Sequence, residues 1–282
     1  MVKDKHVIEA LGKARVVVED GQITSISEPV IDYCPIFAKY HNIQHLNKDD
    51  IRKNIEFRID DFGMCTKNRQ LRMKDMLSVD ISEILRSNLK LNNIDCVVGA
   101  CEGVGTLIMD DADLVQGVGG RVSGLVSTTP IPEVIEQVGA ENVLNPETAE
   151  LDQLKGLQMA IDKGYKNIAI TIIPSLMIKQ IREYPIPDDV NVYIFVAHTT
   201  GISKQLAEIA FEHADIVTAC ASKEVINQAK IHKPYYYGTA VPIFAVSDIG
   251  RKFLDARLID VGKNLSINEY PLNEDNFAKK LK

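Results

Sequence analysis

The sequence lacks any apolar run approaching the roughly 20 residues of a membrane-spanning helix. A helical membrane protein is therefore not expected. It also lacks a surplus of positive charge: 32 Lys and Arg stand against 39 Asp and Glu, for a net charge of −7. Phosphate-backbone binding rests on clustered Lys and Arg, so no nucleic-acid partner is expected. The first residues, Met1-Val2-Lys3-Asp4-Lys5-His6, lead into no signal-peptide core, and the expected location is the cytoplasm. Cysteine is scarce and odd in number: Cys34, Cys65, Cys96, Cys101 and Cys220. In a cytoplasmic chain these are not expected to form disulfides, which leaves metal binding and thiol chemistry open.

Both common nucleotide loops are missing as well, although glycine is concentrated in one run, Gly117-Val118-Gly119-Gly120-Arg121-Val122-Ser123-Gly124. A dinucleotide fingerprint counted from Gly117 needs glycine at 122, where Val122 stands. A P-loop needs Lys after its last glycine, and Gly124 is followed by Leu125. Four glycines in these eight residues bring no side chains to pack and mark positive-φ turns or close backbone approach. The run lies between two apolar stretches that read as strands, 95–108 and 124–127. Two readings stand side by side: a glycine-rich hairpin with Arg121 in solvent, or a loop whose N–H groups and arginine hold an anion. Gly117, Gly119, Gly120 and Arg121 are the ligand-binding candidates of the second.

What is present in quantity is ordinary for a globular protein: 45% apolar and 25% charged residues over a length of 282. Residues 14–28 read as a hairpin around Asp20-Gly21. Residues 1–47 form the expected N-terminal hairpin and linker, and 48–282 the α/β domain. Within the latter, 48–92 is a helical lead-in, 93–130 holds the glycine-rich strands, and 131–282 holds β/α repeats. The lead-in breaks near Asp60-Asp61-Phe62-Gly63-Met64-Cys65, where Asp60 is read as the cap of a following helix and Asp61 either as part of that cap or as a carboxylate converging with it in a loop. Asp80 with Glu83 is a plainer helix start. His41 and His45, four apart, are weighed as metal ligands against a solvated helix face.

The C-terminal half has the clearest rhythm. Apolar runs begin near Asn167, Asn191, Asp215 and Gly238, about 24 residues apart, which is room for a strand and a crossover helix each time. One such helix is expected to be capped by Asn145 and to run to Gly164. The expected fold is α/β, a largely parallel sheet covered by helices, with the N-terminal hairpin and the helical segment preceding the glycine-rich strands. Parallel sheets bind ligands outside the carboxyl ends of their strands. Those ends carry Ser175, then His198-Thr199-Thr200-Gly201, then Cys220. His198 and Cys220 are the catalytic candidates. Thr199, Thr200 and Gly201, ahead of a helix N-terminus, are candidates for binding an anion.

Three segments carry a resemblance: Asp32-Tyr33-Cys34-Pro35, Arg58-Ile59-Asp60-Asp61-Phe62-Gly63-Met64-Cys65-Thr66, and Asp113-Leu114-Val115-Gln116-Gly117 running on to Pro130. Together they resemble the methanogenesis marker protein 8 family, over about 30 to 270. The resemblance implies an anaerobic cytoplasm and an accessory role in methane formation, with maturation or activation of methyl-coenzyme M reductase as the natural expectation. Methyl-coenzyme M reductase and other methanogenesis marker proteins would then be the partners. It supplies no established catalytic residues. In an anaerobic setting Cys34, Cys65 and Cys101, with Cys220 or Cys96, would be ligands for an iron–sulfur cluster if the fold gathers them; the other cofactor expected is a phosphate-bearing ligand. The alternatives are a cytoplasmic transferase or hydrolase working through Cys220 and His198, and a non-catalytic scaffold.

Overall fold

The structure is a computed structural model, and it describes residues 4–33, 43–75, 79–121, 124–238 and 241–262. The chain opens with strands β1 (Lys5–Glu9), β2 (Arg15–Glu19) and β3 (Gln22–Ile26). In β1 and β2 buried residues alternate with more exposed ones, placing Ile8, Val16 and Val18 inward, the period of a half-buried sheet. Asp20 and Gly21 join β2 to β3, both at positive φ, as a two-residue hairpin turn requires.

Helix α1 (Lys48–Phe62) lays Ile51, Ile55 and Phe62 into the core of this sheet. Asn47 caps it, accepting from the Asp50 N–H at 2.9 Å, and Gly63 ends it in the left-handed region. The acidic pair Asp60–Asp61 therefore closes α1 rather than opening a second helix. Helix resumes only at α2 (Ile81–Lys90), capped by Asp80. Among the described residues, the lead-in over 48–92 thus contains two helices, α1 and α2.

Strands β4 (Cys96–Cys101) and β5 (Gly105–Met109) form a hairpin. Neither reading of the glycine run included a helix. The run begins inside helix α3 (Ala112–Gly119), whose N-cap Asp111 accepts from the N–H groups of Asp113 and Leu114. Gly117 is required by packing: a Cβ there would lie 2.0 Å from the Leu71 carbonyl oxygen. The chain continues through β6 (Leu125–Ser127), α4 (Pro132–Val138), α5 (Gln153–Asp162), β7 (Asn167–Ile172), α6 (Met177–Arg182) and β8 (Asn191–Val196). It ends, within the described residues, with α7 (Lys204–His213), β9 (Ile216–Thr218), α8 (Lys223–His232), β10 (Tyr235–Tyr237), β11 (Ile243–Ala245) and α9 (Asp248–Asp260).

Helix α5 starts at the Asp152 cap, later than the Asn145 cap predicts. Asn145 closes only a turn, accepting from Glu147 and Thr148 N–H groups. The backbone after it is tied to β5 instead: Thr106 donates its N–H to the Glu150 carbonyl, and its hydroxyl accepts from Asp152.

The strands form two sheets. The smaller has the order β3-β2-β1-β6, and the larger β10-β11-β9-β8-β7-β4-β5. The middle of the larger sheet, β9-β8-β7-β4, is parallel, whereas β5 pairs antiparallel with β4 and β11 with β9. The sheet is mixed, not largely parallel. The run from Gly238, expected as another parallel strand, contains β11, which follows β10 through a link far too short for a crossover and so runs antiparallel.

Neighbouring residues of each central strand serve opposite faces. Val98, Ile170 and Ile194 pack with Leu157, Ile178, Ala207 and Val225 of α5 to α8. Val97, Ala169 and Phe195 pack with Leu85, Val115 and Phe253 of α2, α3 and α9. Helices on both faces explain why the strands are apolar without alternation. Among the described residues no helix is long and apolar enough to cross a membrane.

Candidate functional site

The carboxyl ends of β7, β8 and β9 face a cleft of about 500 Å3, closed on its other sides by β1, β6 and the ends of α1, α2 and α3. Its lining is mostly aliphatic, with Leu85, Val97, Met109, Val115 and Leu125 among the contributors. The polar groups come from separate elements: Glu9 and Arg15 from the small sheet, Arg58 from α1, Asp80 from the cap of α2, and Thr171, His198 and Cys220 from the strand ends. A mainly apolar concavity with a few convergent polar groups is the usual form of a small-molecule site.

His198 follows β8 in a left-handed backbone conformation, at φ 59°. Its Nε2 lies 3.0 Å from Glu9 Oε2, with the two side chains only 10% and 14% exposed. The hydrogen bond to His198 is the main cause that holds the Glu9 carboxyl below its ordinary value; burial opposes it. Glu9 is delivered from 189 residues away by β1, which is fixed beside the strand ends through a bond from its own N–H to the Gly124 carbonyl at 2.8 Å.

Cys220 follows β9, with its Sγ 3.4 Å from the Thr218 hydroxyl. Thr199 joins this loop to the preceding one. Its buried hydroxyl donates to the Thr218 carbonyl at 2.6 Å and accepts from the Cys220 N–H at 3.0 Å. Thr199 therefore holds the loops in place, and that hydroxyl is not free for a ligand. Thr200 and Gly201 are not part of the cleft lining. The helix that follows is capped by its own Ser203, which accepts from Leu206.

Gly119, Gly120 and Arg121 do line the cleft, whereas Gly117 does not. The run presents the last turn of α3, where the free backbone groups of a helix are carbonyls rather than N–H groups. Gly120 already donates to the Gln116 carbonyl, so its N–H is not free for an anion. Arg121 is engaged too. Its guanidinium lies 4.5 Å from the centre of the Phe62 ring, and its Nη1 is 3.2 Å from Asp61 Oδ2. The carboxyl of Asp80 is pushed up to about 6, chiefly by burial, against the bond it accepts from Ile81.

The remaining cysteines lie elsewhere. Cys65 and Cys101 are fully buried beside the Arg69–Glu102 ion pair, whose Nε and Oε1 are 2.5 Å apart. Burial pushes both thiols up, as it does that of Cys96 in β4. The same buried region holds His6, with Nδ1 2.6 Å from the Thr128 hydroxyl. Cys34 and His41 lie outside the described residues. Among those that are described, no group of three or more His, Cys, Asp or Glu side chains is placed to hold a metal ion. A more open depression of about 390 Å3 lies beside Asp4, Thr66 and Glu133; it presents no histidine or thiol.

Three of the cleft's polar residues were not among the candidates the sequence singled out for function. Glu9 ends a short strand, Arg58 sits in the polar pattern of α1, and Asp80 reads as a cap, which it also is.

The family model described as an uncharacterised protein conserved in archaea (DUF2099) matches residues 6–259. The chain is 43% identical to the uncharacterised protein MJ0054 of Methanocaldococcus jannaschii over 282 residues, covering 99% of each chain. No solved structure matches it.

Proposed function

The chain belongs to this conserved archaeal family, and we propose that it is an accessory factor of methane formation that binds and acts on a small organic anion in the cleft at the strand ends. The observation that carries the binding reading is the meeting of His198, Glu9, Cys220 and Arg58 in one largely apolar cavity. A histidine hydrogen-bonded to a carboxylate is suited to moving a proton. A thiol in the same cleft is a nucleophile once deprotonated. In this reading His198 is the acid–base group, Glu9 sets its orientation, and Cys220 is the group that attacks or holds the ligand.

The metabolic role rests on the resemblance of the Cys34, Cys65 and Gly117–Arg121 segments to the methanogenesis marker protein 8 family. The proposed partners are methyl-coenzyme M reductase or other marker proteins, and the proposed step is maturation or activation of that reductase. The test is reductase activity in extracts of a methane-forming archaeon whose copy of this chain has been deleted. Activity should fall, return with the wild-type chain, and stay low with Cys220→Ser or His198→Ala. Full activity without the chain would sink the metabolic role. Full rescue by both variants would remove the catalytic one.

A further inference from the structure

Three arginines line the cleft, and their circumstances differ. Arg121 is held by Asp61, the Phe62 ring and the Met73 sulfur. Arg15 is 62% exposed and lies 3.9 Å from Glu9, so solvent screens much of its charge. Arg58 is partly buried on α1, and one of its nitrogens donates to the Arg121 carbonyl at 2.7 Å. Among the described residues no carboxylate pairs with it.

A guanidinium has five N–H donors in a planar fork, and one bond to a carbonyl leaves most of that fork unused. Removing a charge from water without a counter-ion is costly. Burial lowers the affinity of Arg58 for its proton, opposed by the charge of Glu102, whose carboxylate is already bound to Arg69. Among the described residues, nothing pairs with this charge within the cleft.

We infer that Arg58 is the anion anchor of the cleft, and that its ligand is an amphipathic acid: one carboxylate, sulfonate or phosphate group on Arg58, with an apolar body against the aliphatic lining. The inference rests on the small-molecule reading of the cleft and deepens it. The fork geometry suits a two-oxygen acid group taken bidentately. Leu85, Val115 and Val118, which line the same cleft, suit a hydrocarbon body better than a sugar or a free inorganic ion.

The test uses two fluorescent probes with the same apolar frame, 8-anilinonaphthalene-1-sulfonate and its neutral counterpart N-phenyl-1-naphthylamine. Wild-type protein should bind the sulfonate about tenfold or more tightly than the amine, the worth of a charge-assisted bond. Arg58→Gln should abolish that preference while the amine still binds, which also shows that the variant has kept its cleft. Arg58→Lys should restore part of it. A preference that survives in Arg58→Gln would overturn the role of Arg58 and leave the cleft reading standing. A failure of both probes to bind the wild type would overturn the cleft reading, and the anchor with it. So would binding that Ser175→Trp, at the cleft wall, leaves unchanged.

Discussion

Gly124 and His198 are fitted to each other. A Cβ built on Gly124 would stand 2.7 Å from His198 Nε2 and 2.8 Å from its Cδ2, well inside contact distance. Gly124 also adopts φ 93°, which an L side chain rarely does. The last glycine of the run thus clears the space in which the imidazole reaches Glu9. Gly124→Ala should cost about 2 to 3 kcal/mol of stability by urea denaturation. If the ring causes much of that cost, the same change made in His198→Ala protein should cost distinctly less. Equal costs in the two backgrounds would assign the effect to the backbone alone.

Much of the fold was legible for a simple reason. Strands covered by helices on both faces must be apolar along most of their length, and Asn167–Ile172 and Asn191–Val196 are. Their direction then fixes which loops share an edge, so the sequence places His198 and Cys220 on one side of the sheet, and both line the same cleft. The antiparallel edges were not legible, because an apolar run such as Ile243–Ala245 has the same composition whichever way it points. Glu9 was invisible because its role comes from a contact across 189 residues. The helix in the glycine run had a usable signal that the glycines obscured: Asp111 caps it, and Leu114, Val115 and Val118 recur on one face.

The glycines of that helix do different jobs, which a pair of substitutions separates. A Cβ on Gly117 would overlap the Leu71 carbonyl oxygen at 2.0 Å, whereas one on Gly119 meets only the Ser82 Cβ, at 3.6 Å. Gly117→Ala must push α3 off the 71–72 backbone and should cost about 3 kcal/mol. Gly119→Ala should be neutral or stabilising by about 0.5 kcal/mol, since alanine favours the helix. Chemical denaturation of both variants checks the contrast; a large loss at Gly119 would contradict this account of the packing.

Asp80 gives the cleft a pH dependence whose sign follows from its surroundings. Its carboxyl rises from 3.8 to about 6 on folding, because burial disfavours the charged form. The folded state therefore holds a proton that the unfolded state releases between those values, and stability falls as pH rises through that window. Asp80→Asn keeps a good helix cap without the charge. The variant should match the wild type near pH 3.5 and exceed it above pH 7 by about 1 kcal/mol, allowing for the partial exposure of the carboxylate. Thermal melts across that range test it. A variant less stable than wild type at pH 7.5 would show that the charge is answered by a group in the cleft.

Cysteine reactivity separates a working thiol from packing ones. Cys65, Cys96 and Cys101 are buried, with thiols pushed up by desolvation, while Cys220 is partly exposed at the cleft. The thiolate is the reactive form, so burial holds back Cys65, Cys96 and Cys101 both by limiting access and by disfavouring ionisation. Native protein treated with iodoacetamide and mapped by mass spectrometry should carry label on Cys220 ahead of the other three, by at least about tenfold in rate if both factors operate. Those three should become reactive only in denaturant. The amphipathic sulfonate probe should slow labelling of Cys220, because the ligand and the thiol share one cavity. Early labelling of Cys65 or Cys101 would mean that the core around Arg69 and Glu102 opens readily. Labelling of Cys220 that the probe leaves untouched would place its thiol outside the ligand's reach, and would leave the chemistry beside the bound acid to His198 and Glu9.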